Sequence, residues 1–190
     1  DITQKTPACF EPTIDYVVTK LPRWAFEKFP GSEPLLTVQM KSVGETMSIG
    51  RSFKESLQKG IRGLETGRFG FGGDGRGKPL TDAPDSQREK EALLRAIRTP
   101  TPGRLLQIGE AMRLGVTVEE IAEATWIDPW FLRQMREIVE EEARLREAEP
   151  DDAATLFRAK QMGFSDHQLG LLWSRDPDEI RASRKRLGVT

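Results

Sequence analysis

From residue 86 onward, apolar residues recur at three- and four-residue intervals, the spacing that lays one apolar stripe along a helix. The pattern predicts helices over 86–98, 103–114, 118–125, 129–148, 152–162, 166–174 and 177–187. The longest opens on Asp128 as a cap with Pro129 at the first helical position, where the missing proline N–H costs nothing. Trp130, Phe131, Met135, Ile138, Val139 and Leu145 supply its apolar side. Its other side interleaves Arg133, Arg136, Arg144 and Arg146 with Glu137, Glu140, Glu141 and Glu147, which predicts a solvated face with weak surface pairs. A repeat runs through this region. Leu114-Gly115-Val116-Thr117, with Ile121 and Asp128-Pro129, is echoed at equal spacing by Met162-Gly163-Phe164-Ser165, Leu169 and Asp176-Pro177. Each copy reads as a helix stopped by glycine, a capped short helix, then a turn into a helix begun by Asp-Pro.

Upstream the period changes. Ile14, Tyr16 and Val18 alternate with Asp15, Val17 and Thr19, a period of two that predicts a strand. A loop with Pro22, Pro30, Gly31 and Pro34 follows, offering Trp24, Phe26 and Phe29 as packing anchors. Residues 38–49 read as a second strand interrupted at Gly44 and ended by Gly50. Ser52 and Glu55 have the spacing of a capping box opening a helix whose stripe is Phe53, Leu57, Ile61 and Leu64, with Gly67 as its C-terminal cap. Gly60 and Gly63 inside that helix each cost about 1 kcal/mol relative to alanine, a penalty that a second backbone passing close by would explain. Two or three short strands with one helix make no stable sheet alone, so the first third reads as the end of a larger α/β domain. Residues 68–86 hold Gly70, Gly72, Gly73, Gly75, Gly77, Pro79 and Pro84, and predict a flexible linker with a domain boundary near 68.

Composition narrows the function classes. A chain of 190 residues can hide about 70% of its unfolded surface, and 37% hydrophobic with 31% charged residues fits a soluble globular chain. Twenty-nine basic side chains against thirty acidic ones remove the long-range field of a general nucleic-acid binder. One cysteine, Cys9, excludes an internal disulfide and points to a reducing compartment; with His167 the only histidine, no Cys/His zinc site can be assembled. No apolar run approaches the roughly 20 residues of a membrane span. The chain opens at Asp1 rather than methionine and shows no signal peptide, so further sequence is expected upstream.

No catalytic, cofactor-binding or metal-ligating constellation emerges from the residues. Gly70-Phe71-Gly72-Gly73-Asp74-Gly75 matches G-x-G-x-x-G literally, but it follows a helix and runs into Lys78-Pro79, whereas a dinucleotide loop follows a strand and opens a helix. Gly77-Lys78-Pro79 lacks the Ser/Thr of a phosphate loop. His167 beside Ser165 reads as an exposed helix start, and Cys9 as an inert thiol. The carboxylates of 137–149 are interleaved with arginines, unlike a metal site. Ser52, Ser56 and Thr19 have no histidine in local reach for a hydrolytic triad. A helix-turn-helix over 163–187, with Arg175, Arg181, Arg184, Lys185 and Arg186 near its end, is the rival reading; its short helix carries no arginine before Arg175. A helical protein-interaction module without an enzymatic parent is another.

Two blocks carry a family resemblance. Residues 12–29, from Pro12-Thr13-Ile14-Asp15-Tyr16 through Pro22-Arg23 to Phe26-Glu27-Lys28-Phe29, resemble the large subunit of carbamoyl-phosphate synthase. So do Gln39-Met40-Lys41-Ser42-Val43-Gly44-Glu45 and the run from Ile49-Gly50-Arg51 to Phe53-Lys54-Glu55-Ser56-Leu57-Gln58-Lys59. The resemblance is strong to about residue 67 and weaker beyond, carried there by residues 127–132 and 163–166, which look like the helical oligomerisation domain of the family. Thr46, Ser48 and the glycine-rich segment depart from the family pattern. The resemblance implies a mainly α fold: residues 1–68 as the C-terminal part of a carboxyphosphate-forming ATP-grasp domain, and 69–190 as the oligomerisation domain. It implies a parent ATP-dependent carbon–nitrogen ligase that makes carbamoyl phosphate from bicarbonate, glutamine-derived ammonia and two ATP with Mg or Mn, for arginine and pyrimidine biosynthesis. It also implies a glutaminase small subunit or fused domain as partner, self-association through the helices, and a cytoplasmic location. The family's first nucleotide and metal ligands lie upstream of Asp1, and its second ATP-grasp half and allosteric domain lie downstream of Thr190. Residues 1–190 are therefore expected to hold no catalytic residue, no cofactor and no metal.

Overall fold

The structure, a computed structural model, describes Gln4 and residues 15–76 and 86–189. Cys9, the expected strand residue Ile14, and Gly77, Pro79 and Pro84 lie outside the described residues. Among those described, a two-stranded antiparallel sheet precedes eight helices, a mainly α architecture with a small α/β part. Strands β1 (Val17–Arg23) and β2 (Gly44–Gly50) pair from Val17 opposite Gly50 to Arg23 opposite Gly44. The expected strand over residues 38–43 does not form. That stretch is irregular, with Val38 and Met40 exposed and Lys41 Nζ donating to the Leu35 carbonyl at 2.6 Å instead of joining a ladder. Phe29 is exposed rather than an anchor; the neighbouring buried side chain is Ala25.

Helix α1 (Phe53–Gly63) lies across one face of the hairpin. Thr19 and Ser48, opposite each other in the sheet, both bond to the buried Ser56, Thr19 Oγ1 to Ser56 Oγ at 2.6 Å and Ser48 Oγ to the Ser56 carbonyl at 2.6 Å. The glycines of α1 are explained by this contact. A Cβ on Gly60 would meet Leu21 Cδ1 at 2.7 Å and Ser48 Oγ at 2.8 Å, and one on Gly63 would meet Thr46 Cγ2 at 2.6 Å. The close neighbours are hairpin side chains, not the passing backbone that the sequence suggested. Gly60→Ala should therefore destabilise the chain by about 1–3 kcal/mol despite its better helix propensity; a urea midpoint equal to or above that of the unsubstituted chain would contradict the packing. At the start of α1, Ser52 accepts from Glu55 N–H as expected, but the Glu55 carboxylate takes the Arg51 N–H rather than that of Ser52. The helix stops at Leu64, earlier than the Gly67 cap expected.

The remaining helices are α2 (Ser86–Arg98), α3 (Arg104–Arg113), α4 (Val118–Thr125), α5 (Pro129–Glu147), α6 (Ala153–Gln161), α7 (Asp166–Trp173) and α8 (Pro177–Arg186). Each lies within a residue of its predicted bounds. The two repeats superimpose in their local devices. Gly115 and Gly163 hold φ of +83° and +88°, which lets the next residues, Val116 and Phe164, turn back, bond to the Ala111 and Ala159 carbonyls at 3.0 Å, and bury their side chains. Thr117 with Glu120 and Ser165 with Gln168 then form full capping boxes. Both short helices end on a left-handed residue, Trp126 and Ser174, before Asp128-Pro129 and Asp176-Pro177. A third turn, overlooked in the sequence although Arg113-Leu114-Gly115-Val116 recurs as Arg186-Leu187-Gly188-Val189, closes α8 and buries Val189.

Helix α5 is the spine, packed against α1, α3, α4, α6 and α7. Arg104 donates to the carbonyls of Ile97, in the last turn of α2, and Thr125, the last residue of α4, placing one cation at two negative helix ends. A single apolar core runs from Leu57 and Ile61 in α1 to Val189. The change of composition at residue 68 is thus not a gap in packing.

Candidate functional site

The glycine-rich stretch predicted as linker is, over residues 68–76, a strap locked into the body. Phe71 is fully buried with its ring against Gly109 of α3. Its N–H donates to Gln58 Oε1 at 3.3 Å, and its carbonyl accepts from Arg113 at 3.2 Å. Gln168 Nε2 donates to the Gly72 carbonyl at 2.6 Å and to Gln58 Oε1 at 3.0 Å, while Gln58 Nε2 reaches the Met162 carbonyl at 2.8 Å. Asp74 is buried beneath Arg68 at 3.0 Å and accepts the Arg76 N–H. These partners come from α1, α3 and α7, so the lock is a tertiary feature that local composition cannot announce. The one sequence signal was Phe71, a large apolar residue isolated among glycines. As a dinucleotide loop the stretch fails in the structure too, because the Phe71 amide is spent on Gln58.

The carboxylates of α5 correct a second expectation. Glu141 and Glu142 are buried, not on a solvated face. Glu142 pairs with Arg113 of α3 at 2.6 Å and Arg146 at 2.8 Å; Glu141 pairs with Arg144 at 2.9 Å and Arg158 of α6 at 2.8 Å. Interleaved charges along one helix reveal same-helix pairing only, whereas α3 and α6 supply the cations that allow burial. A further cluster joins Lys160, Asp166 and Arg184, with distances to Asp166 of 3.0 and 3.2 Å. Burial pushes Asp166 up, but hydrogen bonds from Arg184 and Lys160 outweigh it and hold the carboxyl below its ordinary value. Burial also lowers Lys160, with the nearby Arg184 and Arg62 charges adding to the effect. Lys160 and Arg184 additionally donate to the carbonyls of Phe164 and Val189, the residues just after the repeat glycines.

His167 is exposed and stacks on Phe69, with centroids 4.4 Å apart. Ser52, Ser56 and Thr19 are committed to the α1 cap and the sheet contact. Among the described residues no group of three or more His, Cys, Asp or Glu is placed to hold a metal. Of the basic residues invoked for DNA, Arg175 and Arg186 pair with Asp151 and Arg184 with Asp166. Among the described residues no helix is long and apolar enough to cross a membrane. A cleft of about 490 Å³ between the hairpin, α1 and α3 is lined mainly by apolar residues, among them Leu21, Trp24, Leu36, Ile61 and Leu105, with Arg23, Arg68 and Arg104 also on its wall. Arg68 is paired with Asp74, and Arg104 donates to the Ile97 and Thr125 carbonyls.

At the corner where α1 and α5 begin, Phe53, Trp130 and Phe131 form an edge-to-face triad with centroids 5.0–5.7 Å apart. Trp130 and Phe131 remain open to solvent, as does Trp126, the residue that caps the end of α4 just ahead of α5. The sequence placed Phe53 on the stripe of α1 and Trp130 and Phe131 on the apolar side of α5, without distinguishing core from surface, and did not single out Trp126.

Comparison with known proteins agrees with this helical body. A family model described as "Carbamoyl-phosphate synthetase large chain, oligomerisation domain" matches residues 45–188. The chain is 52% identical over 192 residues to the carbamoyl phosphate synthase large chain of Synechocystis sp., an alignment covering all of this chain and 17% of that protein. It is 55% identical over 185 residues to that of Brucella melitensis, covering 97% and 16%, and 50% identical over 189 residues to that of Gemmatimonas aurantiaca, covering 100% and 17%. The chain spans about one sixth of the length of these relatives.

Proposed function

From the premise that this chain belongs to the family of carbamoyl-phosphate synthetase large chains, we propose that it is the association segment of such an enzyme and contributes no chemistry of its own. The parent is an ATP-dependent carbon–nitrogen ligase that makes carbamoyl phosphate from bicarbonate, glutamine-derived ammonia and two ATP, for arginine and pyrimidine biosynthesis. It works with a glutaminase subunit or domain in the cytoplasm, and its nucleotide and magnesium are held by residues outside 1–190. Residues 1–68 descend from the end of an ATP-grasp unit and 69–190 form the helical association unit, and the described residues of the two share one apolar core. The observation that carries the reading is the match to the oligomerisation domain over 45–188, which includes every buried core residue except Val189. The ion pairs of the core support it, because their cations answer buried carboxylates and carbonyls of the chain itself. Calorimetric titration with Mg-ATP is the direct test. No saturable binding is expected; micromolar, magnesium-dependent affinity would overturn the assignment.

A further inference from the structure

We infer that the aromatic corner of Phe53, Trp126, Trp130 and Phe131 is the surface through which the association segment meets a second copy of itself. The inference rests on the association reading above and names its contact face. Trp126 is 94% exposed, Trp130 48% and Phe131 42%. The repeat shows that the first of these is not there for the fold. The equivalent position of the second copy is Ser174, which holds the same left-handed turn, at φ +53° against +59°, with a hydroxymethyl group. An indole that the turn does not require, left in water, has no role within the monomer.

Together the open rings present on the order of 400 Å² of aromatic surface, in the range of the largest patches of soluble proteins, which are often functional. That is about half of what one partner buries in a standard interface, and aromatic centres with polar rims are the usual anatomy for the rest. Next to Phe53, Lys54 pairs with Glu137 of α5, a neutral unit at the edge of the patch. All four rings lie inside residues 45–188, the stretch matched by the family's oligomerisation domain. Met47 and Ile49 on β2, Phe157 and Leu171 are exposed within it too, but Phe53, Trp130 and Phe131 are the ones that pack as a cluster of rings. The triad's edge-to-face packing also holds Trp130 and Phe131 in place before contact, which lowers the ordering cost of association.

Sedimentation equilibrium of the 190-residue chain across the micromolar range tests the face, with Trp126→Ser and Trp130→Glu compared to the unsubstituted chain. Trp126→Ser copies the residue that the second repeat uses, so its fold is preserved, and circular dichroism with urea midpoints checks both variants. The expected result is self-association of the unsubstituted chain, weakened about tenfold or more in Kd by each substitution, as for central aromatic residues of interfaces. Equal association of all three chains would overturn the face while leaving the association reading intact. A chain that stays monomeric throughout would overturn both, and would point instead to covering of the corner by other parts of a large chain.

Discussion

Glu142→Ala is expected to lower the unfolding free energy by about 3–5 kcal/mol, the typical result of stranding one member of a buried ion pair. The Arg113 guanidinium is nearly as inaccessible as its partner, with 11% of its side chain exposed against 4% for Glu142. Losing the carboxylate leaves a cation facing the Phe71 carbonyl alone, since Arg146 answers the same glutamate from the same helix. Pairing the change with Arg113→Met removes the orphaned charge and should recover a substantial part of the loss. Urea unfolding of the three chains measures it. If the single and double substitutions fall by the same amount, the pair is not the unit described here.

Phe71→Ala should cost a similar amount, about 3–5 kcal/mol, because truncating a fully buried aromatic ring leaves a cavity that the surroundings only partly fill. The ring sits against Gly109, and its backbone is held by Gln58 and Arg113, so the strap has little freedom to collapse inward. The reading of 68–86 as linker makes the opposite forecast, a change within about 0.5 kcal/mol as for surface positions. The denaturation midpoint therefore decides between strap and linker with a single substitution.

The helices were legible because their signals are local. Apolar spacing, Asp-Pro starts, glycine stops and Ser/Thr caps act within a few residues, and the repeat supplied each device twice. What sequence reading missed was decided at a distance. Gln58 and Gln168 bond across 110 positions, Arg113 and Glu142 across 29, and nothing near either residue records the partner. The strand expected at 38–43 has adequate β propensity but meets the hairpin only at its end, where the Val43 N–H donates to the Arg23 carbonyl at 2.9 Å, and propensity without a ladder leaves Val38 and Met40 exposed. The glycines of α1 were correctly flagged as costly, and the reason proved to be the hairpin side chains above them. The candidate association face was visible only in part, as Phe53 on α1 and Trp130 and Phe131 on α5. Their exposure comes from where α1 starts and α4 ends against it.

The continuity of the core from α1 to Val189 bears on how such a segment can be cut from a longer polypeptide. Excision at the glycine-rich stretch would discard Leu57 and Ile61 and strip Gln168 of its amide partner, exposing the socket that Phe71 occupies. A truncation that keeps the helical body intact must therefore start ahead of the Ser52 cap, and one that also retains the hairpin shields the glycine-bearing side of the first helix from water.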